Sequence, residues 1–258
     1  MTTIEGWAFW GCKSLASVDI PNSVTTIGEH SFYSCISLAS VNIGESVTTF
    51  GRGAFDKCTS LASISVASDN PNYIGIDGVL FNKDKTMIVV YPAGKDGSEY
   101  TIPNSVTTIG ESAFISCTSL ASVDIPNSVT TIGDFAFHSC SSLASIDIPN
   151  SVTTIGGWAF MDCTSLASID IPNSVTTIGT RAFMDCTSLA SVDIGESVTT
   201  IGDGAFHGCD AITSVICLAK YCPVYKYEDP WFEMFSVYNT ATLYVPKQSV
   251  DAYKTTDP

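Results

Sequence analysis

Apolar residues recur along this chain in a pattern that repeats every 23 residues. The clearest marker of the repeat is Phe-x-x-Cys, whose cysteines are 23 residues apart in consecutive copies. They are Cys12, Cys35, Cys58, Cys117, Cys140, Cys163, Cys186 and Cys209. The step from Cys58 to Cys117 is longer, at 117 − 58 = 59 residues. Self-similarity at such a period is typical of a solenoid, in which each repeat forms one coil.

The order of residues within one repeat predicts the elements of one coil. Val18 and Ile20 alternate with polar residues, so they predict a strand with an apolar inner face. Pro21 lacks an N–H group and ends this strand, and a second short extended segment carries Val24 and Ile27. The following Phe-x-x-Cys spacing predicts a helical or 3-10 turn. Since one coil cannot bury its apolar face alone, the coils must stack in parallel register, about 4.8 Å apart.

The 59-residue step predicts one enlarged coil over residues 67–99. Two runs within it, 78–82 and 87–91, resemble strands, and the polar segment 83–86 between them predicts a β-hairpin. We expect the solenoid to continue through this coil and the hairpin to project from it as a possible contact surface.

The two ends of the chain differ from the repeats between them. The solenoid is predicted over 1–217, and the irregular, aromatic segment 218–258 is predicted to cap it, with a last strand at 242–245 and a short helix at 247–254. Thr2-Thr3-Ile4 matches the middle of a repeat. The sequence therefore predicts that the chain is part of a longer array.

Composition and charge exclude several classes of partner. Only 14% of the residues are charged, and 26 acidic residues against 11 basic ones give a net charge of −15. Nucleic acid and anionic membranes need a basic surface, so neither is predicted as a partner. No apolar run is long enough to cross a membrane, and no signal peptide is recognisable.

The consensus I-P-x-S-V-T-x-I-G-x-x-A-F-x-x-C-x-S-L resembles the BspA-like (LRR_5) class of leucine-rich repeats. The segment NPNYIGIDGVLFNKDKTMIVVYPAG is similar to an insertion common in that family, and TLYVPKQSVDAYK is similar to its C-terminal cap. This resemblance implies a leucine-rich-repeat solenoid of a cell-surface or secreted protein. Some members are implicated in adhesion and in binding host matrix proteins, whereas most have no assigned ligand.

The cysteines and histidines predict no catalytic or metal site. No Cys-x-x-Cys pair is present, and we expect the repeated cysteines to be buried, reduced thiols that fill core space. Cys217 and Cys222 stand outside the repeat and are the one pair for which a bridge is considered. The three histidines, His30, His138 and His207, are expected at the surface. No cofactor, metal or enzymatic activity is predicted.

One repeat position, between the two inward residues of the long strand, carries aspartate in four consecutive copies. They are Asp124, Asp147, Asp170 and Asp193. Like charges on adjacent rungs destabilise a sheet by about 0.8 kcal/mol per pair in bulk water. Such a row is either well solvated or relieved by a basic ligand or calcium, and both interpretations stay open.

Two further positions in each repeat vary freely and flank the Phe turn. The first is occupied by Trp7, His30, Gly53, Ser112, Phe135, Trp158, Arg181 and Gly204. The second is occupied by Trp10, Tyr33, Asp56, Ile115, His138, Met161, Met184 and His207. Phe135, Trp158, Met161 and Met184 are predicted to form an exposed apolar patch on one edge, or else to pack on neighbouring turns.

These features favour a surface module that binds or adheres to another protein, such as a host matrix or cell-surface protein. A passive spacer that displays other domains is the alternative. The candidate ligand-binding residues are those of the aspartate row and of the apolar patch.

Overall fold

The computed structural model describes residues 1–221, 223–225 and 241–250, which form a solenoid of parallel coils. The strands of the first half are β1 (Thr3–Ile4), β2 (Ser17–Ile20), β3 (Thr26–Ile27), β4 (Ser40–Ile43), β5 (Thr49–Phe50), β6 (Ser63–Val66), β7 (Tyr73–Ile76), β8 (Val79–Asn82), β9 (Met87–Val90), β10 (Glu99–Thr101) and β11 (Thr108–Ile109). Those of the second half are β12 (Ser122–Asp124), β13 (Thr131–Ile132), β14 (Thr154–Ile155), β15 (Ser168–Ile171), β16 (Thr177–Ile178), β17 (Ser191–Ile194), β18 (Thr200–Ile201), β19 (Ser214–Cys217), β20 (Val224–Tyr225) and β21 (Thr242–Tyr244), followed by a 3-10 helix at Lys247–Ser249.

Most regular coils contribute one long strand and one short Thr-Ile strand, and strands of one kind pair in parallel with each other, whereas residues 145–148 form no strand. The long strands pair as β2-β4-β6, β10-β12 and β15-β17-β19-β21, and the short strands as β1-β3-β5 and, in the larger sheet, from β11 through β20. The register advances by one repeat, as in Thr26↔Thr49 and Ile169↔Val192. The predicted solenoid and its parallel ladders are therefore confirmed.

The turn after each short strand differs in detail from the predicted helical turn. Cys35 N–H donates to the carbonyl of Phe32 over 3.1 Å, which is the i to i+3 bond of a tight turn. His30 and Ser34 have positive φ of 51° and 59°, however, and left-handed residues interrupt a right-handed helix. The N–H groups of His30 and Ser34 donate instead to the next coil, to Arg52 O and Asp56 O, each over 2.9 Å. Phe32 N–H likewise donates to Ala54 O over 2.9 Å.

Aromatic stacking holds the centre of the solenoid together. The buried phenylalanines of successive turns stack nearly parallel, with 5.1 Å between the ring centroids of Phe137 and Phe160 and again of Phe160 and Phe183. Buried residues form two clusters, one from Ile4 to Leu80 and one from Val79 to Ala219, which adjoin at the enlarged coil.

The enlarged coil contains the predicted hairpin and one strand more. β8 and β9 pair antiparallel, and β7 pairs antiparallel with β8 through a two-residue turn at Asp77 and Gly78. Both turn residues have positive φ, of 49° and 81°, which is typical of the Asp-Gly hairpin turn. The Asp-Gly pair is a sequence signal for this turn, but neither the turn nor β7 was predicted.

The expectation that the hairpin projects from the solenoid is wrong. Leu80, Phe81 and Ile88 are buried, and Ile88 pairs with Ile109 as a short strand of the stack would. The hairpin is thus part of the wall, because its apolar residues complete the core. Continuity of the stack is only partial, since the short-strand sheet ends at β5 and resumes at β9, and a cleft opens between them.

At the C-terminal end, β21 pairs in parallel with β19, as expected for a closing strand. The predicted short helix begins with the 3-10 helix, and its residues 251–254 lie outside the described part of the chain. The boundaries 1–217 and 218–258 stay a prediction.

Candidate functional site

The first variable position of each repeat has the same backbone conformation in every copy, which was not predicted from the sequence. It is left-handed in all eight copies. The φ values are 62° at Trp7, 51° at His30, 57° at Gly53, 58° at Ser112, 57° at Phe135, 54° at Trp158, 54° at Arg181 and 59° at Gly204. We call this row the left-handed edge. Glycine adopts this conformation without strain, whereas a bulky residue is an outlier there.

Large side chains occupy the left-handed edge in spite of this cost. The rings of Phe135 and Trp158 stack with 4.9 Å between centroids and 2° between planes. The guanidinium of Arg52 lies 5.5 Å from the Phe135 ring, and that of Arg181 lies 5.9 Å from the Trp158 ring. The four side chains form a column in which two cations flank two aromatic rings, an attractive arrangement. We call it the edge column.

The structure brings together only part of the predicted apolar patch. Phe135 and Trp158 stack on each other, while Met161 and Met184 belong to the second variable position and are half-buried on the turns of Trp158 and Arg181. The aromatic rings are half-buried as well, so packing on neighbouring turns accounts for some of their surface. The role of these four residues in binding stays a proposal.

A second aromatic group lies at the start of the same edge. Trp7 packs against His30 at 4.4 Å between ring centroids, against Tyr33 at 5.8 Å and against Trp10 at 6.0 Å. Trp7 and Trp10 remain 50% and 63% exposed. Sequence reasoning placed these residues at variable positions but did not select them. The large aromatic side chains at these positions were the sequence signal that could have identified them as candidates.

The aspartate row is regular over only part of its length. Asp170 and Asp193 are in register on neighbouring strands, and Asp124 pairs with Thr101. Asp147 is exposed but lies outside any strand, since residues 145–148 form none. Burial, and then the negative charge of Asp170, raise the pKa of Asp193.

At the other end of the solenoid the same position carries one aspartate and two neutral residues, which are connected by hydrogen bonds. The Asn42 amide donates to Asp19 Oδ1, and the Ser65 hydroxyl donates to Asn42 Oδ1. Among the residues that the structure describes, no group of three or more potential ligands is arranged to hold a metal ion. The aspartate row therefore has no geometric support as a calcium site.

The repeated cysteines form a hydrogen-bonded column in the core. From Cys35 onward these thiols are buried and free, and Cys12 is exposed. Cys140 Sγ donates to Phe114 O over 3.1 Å, and Cys163 and Cys186 make the same bond one and two coils later. Burial raises the pKa of Cys58 to about 12, which disfavours its reactive thiolate form. Cys222 lies outside the described residues, so its bridge to Cys217 stays a prediction.

Of the histidines, His138 lies beside a carboxylate, with 3.3 Å between its Nε2 and Asp162 Oδ2. It is half-buried, as are His30 and His207, so the expectation of surface positions holds only in part.

The sequence profile described as BspA type Leucine rich repeat region matches residues 1–88 and 93–213, with six copies. The chain belongs to this family. No curated protein matches the chain.

Three solved structures resemble this member of the BspA type family. The pneumococcal vaccine antigen PcpA is 24% identical with a TM-score of 0.79, over 98% of this chain and 68% of PcpA. A leucine-rich cell surface protein of Faecalibacterium prausnitzii is 32% identical with a TM-score of 0.68, and the match covers 87% of this chain but only 63% of that one. A leucine-rich repeat protein of Eubacterium ventriosum is 27% identical with a TM-score of 0.60, over 82% of this chain and 75% of that one.

Within residues 1–221, 223–225 and 241–250, the structure contains no helix long and apolar enough to span a bilayer.

Proposed function

We propose that this chain is a surface-displayed or secreted recognition module that binds another protein through its left-handed edge. The observation that carries the proposal is the edge column, where Phe135 and Trp158 hold a conformation that costs roughly 1–3 kcal/mol per residue. Glycine at Gly53 and Gly204 satisfies the same backbone without that cost. Folding alone does not require the rings, so binding is the better explanation for them.

The chemistry of the edge suits a protein partner. Aromatic residues and arginine dominate the binding energy of protein interfaces, and a stacked column presents them preorganised. The cell surface protein of Faecalibacterium prausnitzii supports display outside the cell, and the family resemblance supports host matrix or cell-surface proteins as partners. The aspartate row adds a negative face that would speed the approach of a basic partner.

A passive spacer is the alternative, and it also fits a long solenoid. A spacer has no reason to retain strained aromatic residues, whereas a binding module does. An enzymatic role finds no supporting cluster in the edge, and none is proposed.

Binding of the purified chain to immobilised matrix proteins, such as collagen and laminin, tests the proposal. We expect saturable binding to at least one of them in surface plasmon resonance. The paired substitutions Phe135→Gly and Trp158→Gly should weaken it at least tenfold, because they delete both rings and keep the left-handed backbone.

Tyr221→Gly is a matched control, since Tyr221 is exposed and lies beside the Lys220 ammonium, away from the edge. It should leave the affinity unchanged. No saturable binding to any matrix protein would favour the spacer, and equal loss of binding in the control would remove the edge from the proposal.

A further inference from the structure

The cleft beside the enlarged coil arises from a local deletion in the repeat. Ile27 and Phe32 are five residues apart, but the equivalent Ile88 and Tyr91 are only three apart. Ile88 pairs with Ile109, and the Tyr91 ring stacks on Phe114 at 5.0 Å, so both ends of this segment keep their places in the stack. The enlarged coil therefore contributes no residue to the left-handed edge.

The deletion leaves a cleft of about 420 Å³. This volume suits a small ligand or a side chain. Two small residues of the left-handed edge, Gly53 and Ser112, stand on either side of it. Arg52 and Glu111 line it as well, and their side chains bridge it with 2.6 Å between Nε and Oε1.

Two polar residues that line this cleft are buried. Asp56 is 6% exposed and accepts a hydrogen bond from the Ser116 hydroxyl over 2.9 Å. Ser112 is also 6% exposed, and its hydroxyl has no hydrogen-bond partner. A buried hydroxyl without a partner costs about 1–3 kcal/mol, and buried carboxylates are normally paired with a cation.

The cations near Asp56 have other contacts. The Lys57 ammonium interacts with the Asp56 carboxylate but lies over the Tyr33 ring, 5.2 Å from its centroid. Among the described lining residues only Arg52 is positively charged, and its guanidinium is directed to Glu111 and to the Phe135 ring. A ligand that brings its own positive charge and hydrogen-bond donors would satisfy Asp56, and also Ser112 once its fully buried hydroxyl turns towards the ligand.

The lining also has an apolar part, which suits an alkyl chain. Phe50, Val89 and Ile115 line the cleft between its polar groups, and Tyr91 closes it from the core side. The Lys side chain joins four methylene groups to an ammonium with three donors, which matches this division into an apolar wall and an acceptor pair.

We propose that the cleft binds a primary ammonium group on an alkyl chain, supplied by a lysine side chain of the protein partner. This inference rests on the proposed function and adds a chemical class of contact to it. The net charge of −15 makes a lysine-bearing partner electrostatically favourable.

The test is titration of the ¹⁵N-labelled chain with Nα-acetyl-lysine methylamide, followed by amide chemical shifts. We expect saturable shifts at Asp56, Ser112 and their neighbours. The Nε-acetylated compound and the norleucine analogue should bind at least tenfold more weakly, because neither carries the charge. Butylamine separates a free amine from a peptide side chain, and it should bind no more tightly than the lysine compound.

Asp56→Asn and Ser112→Gly should each weaken the lysine compound, by about tenfold or more for Asp56 because its contact is charged. Ser112→Gly keeps the backbone, since Gly53 and Gly204 adopt the same conformation. Asp84→Asn, in the exposed hairpin turn, is the charge control and should change nothing. Urea unfolding of each variant verifies the fold.

Equal binding of the norleucine analogue, or no loss in folded Asp56→Asn protein, would overturn the proposal. Stronger shifts with a mono- or disaccharide would assign the cleft to carbohydrate instead. Phe135 contacts Arg52 of the cleft lining, whereas Trp158 does not line the cleft. The Trp158→Gly chain should therefore still bind the lysine compound. Failure of the matrix-binding experiment is thereby distinguishable from failure of this one.

Discussion

The thiol of Cys163 donates a hydrogen bond to the main-chain oxygen of Phe137, 26 residues earlier, over 3.3 Å. Both residues are fully buried, so water cannot replace the bond. The carbonyl belongs to the preceding coil. The cysteine column therefore links neighbouring coils, in addition to filling core space.

Replacing Cys163 with alanine should destabilise the protein by about 1–3 kcal/mol, because it removes a buried hydrogen bond to the Phe137 oxygen, which then keeps only the bond from the Cys140 N–H, and because it opens a small void. The shift of the urea midpoint at constant slope measures this. Cys12→Ala is the matched control, since Cys12 is exposed, and it should change the free energy of unfolding by less than about 0.5 kcal/mol. Equal effects at both positions would contradict a structural role for the column.

Stability should fall at alkaline pH. Burial raises the pKa of Cys58 from 9.0 to about 12, and burial likewise raises the pKa values of Tyr91 and Tyr100 from 10.0 to about 12. Above pH 9 the unfolded chain loses these protons first, so the free energy of unfolding decreases as pH rises towards 12. Each group contributes a slope of up to about 1.4 kcal/mol per pH unit.

Urea unfolding between pH 7 and 11, with reductant present, measures this dependence. The Cys58→Ala chain starts less stable but should lose stability less steeply above pH 9, because one titrating group is gone. A free energy of unfolding that stays constant from pH 9 to pH 11 would contradict the buried, protonated state of these residues.

The entry into the enlarged coil depends on Asn70, which is fully buried. Its amide donates to the carbonyls of Gly44 and Val47, and its oxygen accepts from the N–H groups of Asn72 and Tyr73. Asn70→Ala should cost about 2–4 kcal/mol, because four main-chain groups lose their partner.

The exposed Asn127 supplies the control for this prediction, and Asn127→Ala should be neutral within about 0.5 kcal/mol. Hydrogen exchange should also accelerate in β7 and β8 of the Asn70→Ala chain. Protection that falls uniformly along the whole solenoid would argue that Asn70 has no local role.

The strands were predictable from the sequence because their residues alternate and because identical repeats must pair in identical register. The strand that contains Val18 and Ile20 could be predicted from the sequence alone. The left-handed edge was not predictable in the same way. Only Gly53 and Gly204 among its residues suggest a positive φ. Bulky residues such as Trp7 and Phe135 disfavour this conformation, so the sequence gives no sign of it at their positions.

The cleft could not be predicted from the sequence, for a different reason. Its origin is the short spacing from Ile88 to Tyr91, which has meaning only once Ile88 is aligned with Ile109. That alignment follows from strand pairing within the enlarged coil, and the divergent sequence of that coil does not reveal it. The unpartnered hydroxyl of Ser112 depends on side-chain positions, which no repeat pattern encodes.

The aspartate row permits a last prediction, with its own internal control. Asp170 and Asp193 are in register, and the raised pKa of Asp193 means that folding disfavours its ionised form. The penalty is therefore present at pH 7 and disappears as pH falls below the carboxyl range. Asp193→Asn should stabilise the protein at pH 7 and low salt, by at most about 1 kcal/mol because water screens the pair.

The gain from Asp193→Asn should shrink in 0.5 M NaCl, where the Debye length is only about 4–5 Å. Asp19→Asn should bring no gain, because Asp19 already accepts a hydrogen bond from the Asn42 amide. Millimolar calcium should raise the melting temperature no more than magnesium at equal ionic strength. A calcium-specific rise that Asp193→Asn abolishes would show instead that the row is a cation site, and the repulsion would then be the cost of keeping that site in the empty protein.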